Sequence, residues 1–317
     1  MNQEYSAYKL KLRQALDLEN KILLTLRRIK EAVKRFGEKN VYVAFSGGKD
    51  STVLLHLVRT LFPNIVAVFS DTGLEYPEIR DFVKTIDNVI WVKPKTTFKK
   101  IIQTKGYPVI SKNVARAVRD CQNPTPKNEN TRRLRLEGIR SDGKKAYSTS
   151  VLAQKWRFLI DAPFKCSEQC CDYIKKEPMK RYQKENDMIP FIGTMAGDSM
   201  QRQASYMQVG CNAFEGKEPK SMPMAFWQEE DVWEYLKTYN VPYSKIYDMG
   251  EKRTGCMFCM FGCHLEKGEN RFQRMYRTHP KQWKYCMENL GLQEVLDYIG
   301  IPSKPSNEKE MIQGELI

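Results

Sequence analysis

The sequence lacks an apolar run of the roughly 20 residues that a membrane-spanning helix needs. Its N-terminal segment also lacks an apolar core followed by a small-residue cleavage site, so no secretory signal is expected. We therefore expect a cytoplasmic protein with no membrane partner. In that compartment, nine cysteines do not predict a disulfide framework, and metal ligands or reactive thiols are expected instead.

Acidic residues are the second shortage. The 317 residues include 38 Asp and Glu against 52 Lys and Arg, which gives a formal net charge of +14. This excess favours a polyanionic partner over a purely structural role. With 41% hydrophobic and 28% charged residues, the composition is that of a globular chain and not of a disordered one. The length predicts one large or two modest domains.

Most of the positive charge lies in one stretch. Residues 93–145 hold 15 Lys and Arg against 4 Asp and Glu, a net charge of +11. One interpretation is a solvated helix face followed by a mobile polar insert at residues 123–149. The other is a track that follows the phosphate backbone of a nucleic acid. Composition alone leaves both interpretations open.

Alternating strands and helices predict an α/β fold, namely a doubly wound parallel sheet. Short β-rich runs are separated by stretches with helical apolar spacing, and the predicted strands are 41–45, 64–69, 89–92 and 188–193. The expected domain limits are a helical segment at 1–37, a nucleotide-binding domain at 38–250 with the insert 123–149, and a helical cysteine-bearing region at 251–317. In such sheets, ligands bind beyond the carboxyl ends of the strands.

A glycine turn follows the first predicted strand, and its sequence is Ser46-Gly47-Gly48-Lys49-Asp50-Ser51. The paired glycines let backbone amides approach an anion at the start of a helix, while Ser46 and Ser51 supply hydroxyl groups. Lys49 can neutralise phosphate charge, and Asp50 can hold Mg²⁺. No Walker A motif is present, which argues against a P-loop NTPase. The alternative is an ordinary Gly-Gly turn with a Ser or Asp helix cap.

The cysteines form a second group. Cys170 and Cys171 are adjacent, Cys256 and Cys259 form a C-x-x-C pair, and Cys166 and Cys263 lie beside them in sequence. Two such elements can complete a four-sulfur site, so an iron–sulfur cluster, a structural zinc and a redox dithiol all remain open. The other three cysteines are expected to be buried apolar residues; they are Cys121, Cys211 and Cys286.

The loop resembles the signature of the PP-loop ATP pyrophosphatases, which cleave ATP between its α and β phosphates and adenylate a substrate. Later segments resemble motifs of the phosphoadenylylsulfate (PAPS) reductase branch of that superfamily. These segments run in family order, and they are 70–78, 193–202, 223–235 and 242–250. The resemblance implies the adenine nucleotide α-hydrolase-like form of the fold and covers residues 41–263.

The same resemblance implies roles for individual residues. It makes Lys49 and Asp50 catalytic, places Asp71, Thr72 and Gly73 near ATP, and puts Arg202 on an anionic group. An Arg202 salt bridge is the competing interpretation.

The segment from Cys170 to Pro178 resembles the C-C-x-x-x-K-x-x-P element of the cluster-bearing reductases, and Thr254 to Cys259 resembles their second cysteine pair. In those relatives the four cysteines hold a 4Fe-4S cluster. The resemblance therefore implies that Cys170, Cys171, Cys256 and Cys259 bind a 4Fe-4S cluster, with zinc as the fallback.

Two departures from the family weigh against a sulfonucleotide reductase. No cysteine follows Cys286, although the family's nucleophile lies on a C-terminal tail, and Met195 stands where the family motif has Arg. Cluster-bearing PP-loop enzymes also insert sulfur into tRNA or DNA. We therefore expect an ATP- and Mg²⁺-dependent sulfur transferase that acts on tRNA or DNA bound along 93–145, with a sulfur-donor protein as a further partner. The alternatives are a sulfonucleotide reductase and a nucleotide-binding regulatory module.

Overall fold

The computed structural model of the chain describes residues 6–216 and 218–305. The polar tail that the sequence predicts from Pro302 onward lies mostly outside these residues. None of the described helices is both long enough and apolar enough to cross a bilayer.

A six-stranded sheet organises the first part of the chain. Its strands, in sequence order, are β1 (Val41–Phe45), β2 (Ala67–Ser70), β3 (Val89–Val92), β4 (Ile189–Ile192), β5 (Asn212–Ala213) and β6 (Lys220–Ser221). The strand order is β3-β2-β1-β4-β6-β5, and every pair is parallel except β5 with β6. The four longer strands confirm the strands expected from the sequence.

Helices connect and cover these strands. Those of the N-terminal half are α1 (Ala7–Gln14), α2 (Leu18–Phe36), α3 (Lys49–Leu61), α4 (Pro77–Lys84), α5 (Phe98–Lys105), α6 (Lys112–Gln122) and α7 (Glu129–Glu137). Those of the C-terminal half are α8 (Glu177–Asn186), α9 (Met200–Val209), α10 (Glu229–Thr238), α11 (Arg271–Thr278), α12 (Pro280–Lys284) and α13 (Leu292–Tyr298).

The sheet is covered on both faces, as expected for a doubly wound fold. On one face, Tyr42 of β1 packs against Tyr182 of α8 with a ring separation of 5.5 Å. On the other face, Phe45 of β1 lies 6.3 Å from Phe82 of α4. Because successive side chains of a strand point to opposite faces, this alternation fixes which helix covers which face. The fold class predicted from the sequence is confirmed.

The chain divides into two compact units. Unit 1 comprises residues 1–94 and 175–254, and it contains the sheet. Unit 2 comprises residues 95–174 and 255–317. These units cut across the segments 1–37, 38–250 and 251–317 expected from the sequence, and those segments stay a prediction.

Helix α2 buries a partly polar face in unit 1. Asp17 caps its N-terminus by accepting a hydrogen bond from the Asn20 amide at 2.8 Å. Lys21 is only 2% exposed because its ammonium group contacts both carboxylate oxygens of Asp231 at 2.7 Å. The apolar spacing of this helix predicts that Leu23 is buried, yet Leu23 is 64% exposed.

The segment expected as a mobile polar insert has regular structure in unit 2. Residues 129–137 form α7, which ends at Gly138 in the left-handed conformation. An antiparallel bridge then joins Ile139 to Lys145. The left-handed glycine cap ends the helix without strain and lets the chain turn into this bridge.

Candidate nucleotide loop and cysteine cluster

The turn between β1 and α3 lies at the carboxyl edge of the sheet in unit 1. Gly47 has a φ angle of +70°, and a Cβ atom there would come within 2.8 Å of the Ile79 and Val83 side chains. A Cβ atom on Gly48 would lie 2.5 Å from the Thr254 hydroxyl oxygen. Both positions therefore require glycine, the first by conformation and close approach, the second by close approach alone.

Several backbone amides of this loop donate hydrogen bonds to side-chain hydroxyl oxygens. The Ser46 amide donates to the Ser51 hydroxyl oxygen at 3.1 Å, and the Gly48 amide donates to the Ser46 hydroxyl oxygen at 3.3 Å. The Lys49 amide donates to the Tyr247 hydroxyl oxygen at 2.8 Å. Amides at the start of a helix are the groups that bind phosphate oxygens. The loop therefore has donors suited to an anion, with hydroxyl oxygens as their present partners.

Lys49 is a buried cation among acidic groups. Its Nζ atom lies 3.4 Å from Asp50 Oδ1 and 3.2 Å from Glu229 Oε1, and its side chain is 6% exposed. Burial alone would lower the pKa of Lys49, but the charges of Asp50, Tyr247 and Glu229 outweigh burial and raise it. Lys49 is therefore a permanent positive charge at the start of α3.

Asp50 carries an unsatisfied carboxylate oxygen. Burial raises the pKa of Asp50, and Asp198 and Glu229 raise it further, while Lys49 opposes them. Among the described residues, no group hydrogen-bonds to its buried Oδ1 atom. An acidic cluster with a buried carboxylate oxygen that pairs with Lys49 but accepts no hydrogen bond matches the oxygen ligands that Mg²⁺ prefers.

Asp71 follows β2 at the same edge of the sheet and shows the same feature. Its Oδ2 atom accepts from Arg80 at 3.1 Å, whereas its buried Oδ1 atom has no hydrogen-bond partner in the described part of the chain. The next turn is held by Glu75, which accepts from the Thr72 amide at 3.0 Å and from the Thr72 hydroxyl at 2.6 Å. Gly73 then takes a φ angle of +74°.

Arg202 lies in the first turn of α9 and forms an ion pair with Asp198. Its guanidinium is about half exposed. This contact matches the salt-bridge interpretation, and the role of Arg202 on an anionic group of the nucleotide stays a prediction. Met195 is buried, at 4% exposure.

The four cysteines expected to share a metal lie in one neighbourhood of unit 2. A hydrogen bond with Cys171 raises the pKa of Cys170, and burial and the charges of Cys171, Cys259 and Cys256 raise it further. Crowded thiolates repel one another, so this donor set suits a soft cation. Among the described residues, however, no group of three or more His, Cys, Asp or Glu side chains has the arrangement of a metal site. The metal and its ligands stay a prediction.

The flanking cysteines are buried thiols. Burial raises the pKa of Cys166 to about 12 and that of Cys263 to about 12. Arg271, which belongs to none of the motifs quoted above, donates to the Cys259 carbonyl oxygen at 3.0 Å and pairs with Glu266. Its guanidinium puts a positive charge next to the second cysteine pair.

A family profile described as "Phosphoadenosine phosphosulfate reductase domain" matches residues 40–155 and 89–261. These ranges cover more than half of the chain. The chain belongs to the phosphoadenosine phosphosulfate reductase domain family.

The curated proteins that are similar to this chain differ in name and in length. An uncharacterised protein of Methanocaldococcus jannaschii is 29% identical over 251 residues, which are 78% of this chain and 40% of that protein. A second protein of the same organism is 24% identical over 87% of this chain and 54% of its own length. The chain thus spans about half of these relatives. Adenosine 5'-phosphosulfate reductase 2 of Bacillus subtilis is 23% identical over 73% of this chain and 76% of that enzyme.

Two solved structures are also similar to this reductase-family chain. One is a phosphoadenylyl-sulfate reductase from Candida auris, with a TM-score of 0.44, 17% identity, and coverage of 81% of this chain and 96% of that one. The other is a U34-tRNA thiolase from Methanococcus maripaludis with its 4Fe-4S cluster, with a TM-score of 0.36, 16% identity, and coverage of 92% and 84%. Structural similarity at these TM-scores supports no inference about the chemistry of this chain.

Three loop neighbours in this reductase-family chain were not among the predicted site residues. They are Glu229, Tyr247 and Thr254, which contact the loop from about 180 to 210 residues away in sequence. Tyr247 and Thr254 belong to segments that resemble family motifs, and that resemblance is the sequence feature that could have indicated them. Their contacts with the loop depend on tertiary folding, which no local pattern encodes.

Proposed function

We propose that the chain is a PP-loop ATP pyrophosphatase that adenylates a nucleic-acid substrate for sulfur transfer. The observation that carries this proposal is the ion pair on a glycine turn between the buried Lys49 ammonium group and Asp50 Oδ1, which lie 3.4 Å apart, while that oxygen has no hydrogen-bond partner among the described residues. A structural turn needs neither group, because the helix start could be capped by a single hydroxyl. A triphosphate needs both, a cation for its oxygens and a carboxylate for its Mg²⁺.

In the proposed first step, an oxygen of the substrate bonds to the α-phosphorus of ATP, and the bond from that phosphorus to the bridging oxygen breaks. Pyrophosphate leaves, and the ammonium group of Lys49 offsets the negative charge that develops on it. Mg²⁺ held by Asp50 and Asp71 would offset further phosphate charge when bound. The substrate oxygen now carries AMP, which makes it a leaving group.

In the second step, a sulfur nucleophile attacks the activated carbon, and AMP departs with the former substrate oxygen. Inorganic sulfide, or a donor protein that delivers sulfur at the oxidation level of sulfide, supplies the sulfur atom, so the displacement needs no reductant. A 4Fe-4S cluster held by Cys170, Cys171, Cys256 and Cys259 would supply a site at which sulfide sulfur can be held. The half-buried Arg271 guanidinium near Cys259 would offset the negative charge of these thiolates.

The nucleic-acid acceptor is supported by the side chains of residues 93–145. Lysines along this stretch are exposed, and they include Lys99, Lys100, Lys105, Lys112, Lys127, Lys144 and Lys145. Some arginines of the stretch have structural roles, since Arg135 donates to Asp120 at 3.3 Å and to the Ser150 carbonyl oxygen at 2.9 Å. The exposed lysines are therefore the charges expected to contact phosphates.

The deciding experiment is turnover of ATP by protein purified without oxygen. We expect AMP and pyrophosphate to appear only with Mg²⁺ and a nucleic-acid acceptor, together with brown iron–sulfur absorption and matching iron content. Release of ADP and inorganic phosphate would contradict the proposal. If the protein bound the nucleotide but turned it over with none of the acceptors tested, the result would instead indicate a regulatory module.

A sulfonucleotide reductase is the second candidate. It is favoured by adenosine 5'-phosphosulfate reductases that share 22–23% identity with the chain over 76–79% of their own length. Such an enzyme would consume a preformed sulfonucleotide with a thiol donor and would ignore ATP. Release of sulfite from a sulfonucleotide, with no ATP turnover, would favour this candidate.

A further inference from the structure

A continuous series of aromatic rings runs through unit 2. Successive ring centroids lie 5.4–6.3 Å apart. In order, the rings are Tyr107, Phe164, Tyr298, Phe158, Trp156 and His264. Buried aromatic clusters need no function beyond packing, but part of this series reaches the surface.

Two neighbouring rings of the series are exposed to solvent, and a third is partly so. Phe158 is 41% exposed and Tyr298 is 38% exposed, while Trp156 is half-buried. Trp156 and Phe158 lie in the 3-10 helix Gln154–Asp161, and Tyr298 ends α13. We call Trp156, Phe158 and Tyr298 the aromatic platform.

The rings of the aromatic platform are held in place by a hydrogen bond and by edge-on contacts with other rings. The Tyr298 hydroxyl donates to the Phe158 carbonyl oxygen at 3.2 Å, and Phe164 packs edge-on against Tyr298 at 5.4 Å. His264 packs edge-on against Trp156 at 5.4 Å. An exposed platform that is fixed before binding loses little side-chain freedom when a flat ligand stacks on it.

A cationic side chain lies beside the aromatic platform. The Lys155 ammonium group lies 5.1 Å from the centre of the Trp156 ring, and Lys155 and Lys165 are both exposed. The same unit contains nearly all of the stretch 93–145, with its net charge of +11. Exposed aromatic rings next to cationic side chains are the combination with which proteins bind unpaired nucleotides, because rings stack on bases and cations contact phosphates.

We propose that the aromatic platform stacks unpaired bases of an RNA. This inference rests on the nucleic-acid acceptor proposed above and specifies which part of that acceptor unit 2 contacts. RNA is the favoured source because folded RNA presents unpaired bases in its loops, whereas the bases of duplex DNA are already stacked and paired. A phosphate next to the stacked bases would contact Lys155.

The test compares two labelled oligonucleotides of equal length and charge by fluorescence anisotropy. One is a 12-nucleotide RNA without secondary structure, and the other is its abasic counterpart. Wild-type protein is expected to bind the RNA about 5- to 100-fold more tightly than the abasic strand, because only the RNA can stack. This comparison needs no variant, so it does not depend on the folding of a mutant.

Variants then locate the stacking. Phe158→Leu and Tyr298→Leu keep an apolar side chain but remove the ring, and each is expected to weaken RNA binding about fivefold or more without changing abasic binding. The matched control is Tyr147→Leu, which removes an 84% exposed ring of the same unit that lies outside the platform. It is expected to leave both affinities unchanged, and thermal melting checks that each variant is folded.

The outcomes separate this inference from the proposed function. Equal wild-type affinity for the RNA and the abasic strand would overturn the platform while leaving the backbone contacts standing. An effect of Tyr147→Leu equal to that of Phe158→Leu would also overturn it. If the protein bound neither strand, the result would contradict the proposal of a nucleic-acid acceptor itself. Tighter binding of a single-stranded DNA of the same sequence would overturn the assignment to RNA.

Discussion

Tyr247 places a hydroxyl oxygen on the Lys49 amide, at the start of α3 where an anion would bind. Burial raises the pKa of Tyr247, so this hydroxyl stays neutral at physiological pH. A phosphate oxygen that carries negative charge is a stronger acceptor for the same amide. Binding of a nucleotide phosphate at this amide therefore requires the tyrosine to give way.

Replacing Tyr247 by Phe removes the competing acceptor. We expect ATP to bind about two- to tenfold more tightly to Tyr247→Phe, since no hydroxyl contact has to be broken. Calorimetry with ATP and Mg²⁺ measures this change. The control is Tyr243→Phe, whose hydroxyl donates to Asp248 and not to the loop. Weaker binding to Tyr247→Phe would mean that the hydroxyl contacts the nucleotide itself.

Asp50→Asn tests the proposed Mg²⁺ ligand. We expect Mg²⁺-dependent ATP affinity to fall about tenfold or more, because a neutral amide is a poorer ligand for a hard cation, and the fold to stay intact. Because burial raises the pKa of Asp50, wild-type affinity should begin to fall at a higher pH than for an exposed carboxyl, as protonation neutralises the ligand. The variant should lose this pH dependence.

The matched control for Asp50→Asn is Asp81→Asn, which removes an exposed carboxylate that pairs with Lys84 on α4. It should change neither the affinity for ATP nor its dependence on pH. Calorimetric titrations of both variants, with and without Mg²⁺, make the comparison. If Asp50→Asn binds ATP with wild-type affinity in Mg²⁺, the assignment of Asp50 fails.

At the scale of elements, a buried ion pair joins α2 to α10. Lys21 contacts both carboxylate oxygens of Asp231, and Asp231 also accepts from the Gln228 amide at 2.7 Å at the start of α10. Trp227 adds a hydrogen bond to Thr25, one helical turn further along α2. These polar contacts explain why α2 buries Lys21 and Thr25 where its apolar pattern predicts other residues.

Removing one member of this ion pair should destabilise the folded protein. We expect Lys21→Met to lower the free energy of unfolding by about 3–5 kcal/mol, because it leaves a buried carboxylate without its cation. The double variant Lys21→Met with Asp231→Asn should recover much of the loss, since the amide can still cap α10. Lys84→Met, which breaks an exposed pair, should cost less than about 1 kcal/mol. Urea denaturation measures all three, and equal losses for Lys21→Met and Lys84→Met would contradict the argument.

The proposed four-cysteine centre links two short segments of unit 2. We expect Cys170→Ser and Cys256→Ser to lose metal together and to melt at lower temperature, because metal binding contributes to folding. Cys286→Ser, at a buried thiol outside the cluster, should keep its metal. Metal analysis of anaerobically purified protein decides the matter. Full metal content in both cluster variants would refute the shared centre, and zinc in place of iron would change its identity.

Elements with a strong local pattern could be predicted from the sequence. The apolar, β-rich runs predicted β1 and β3 with their observed limits, and β2 and β4 within a few residues. Strands β5 and β6 have two residues each, which is too short for any periodicity to appear. Helix α7 was missed because its residues, from Glu129 to Glu137, are mostly polar, and no described residue of it is buried.

The candidate site also contains some residues that the sequence could predict and others that it could not. The glycine loop could be predicted because its function depends on consecutive residues. Glu229 and Tyr247 could not, because a charge or hydroxyl becomes part of the loop only after the chain has folded. The ion pair of Arg202 with Asp198 agrees with one of the two interpretations that the sequence left open, and the other, a role on an anionic group, stays a prediction.

At the scale of the whole molecule, the net charge of +14 sets the conditions for binding. Contacts between exposed lysines and phosphates release counterions, so the affinity for a nucleic acid should fall steeply as salt increases. The stretch 93–145 supplies most of this excess, and its exposed lysines can be changed without disturbing the core.

Lys144→Ala with Lys145→Ala tests this contribution. We expect weaker binding of tRNA or DNA and a slope of log affinity against log salt that is flatter by about one unit per lost contact. ATP affinity should be unchanged. The control is Lys9→Ala with Lys11→Ala, which removes the same charge from exposed positions on α1. Identical slopes for the two double variants would show that only total charge matters, and a wild type without salt-dependent binding would exclude a nucleic-acid acceptor.

The strand order has a consequence for synthesis on the ribosome. Strand β1 pairs with β2, which follows it closely, and with β4, whose first paired residue is Ile189 opposite Val41. At translation rates of about 5–20 residues per second, β4 is made roughly 7–30 s after β1. During that interval the nascent chain exposes an unpaired edge of its central strand, which can pair with the wrong partner or be held by a chaperone. The order in which the ribosome releases the strands thus makes this edge the point at which the growing chain is most exposed to misfolding.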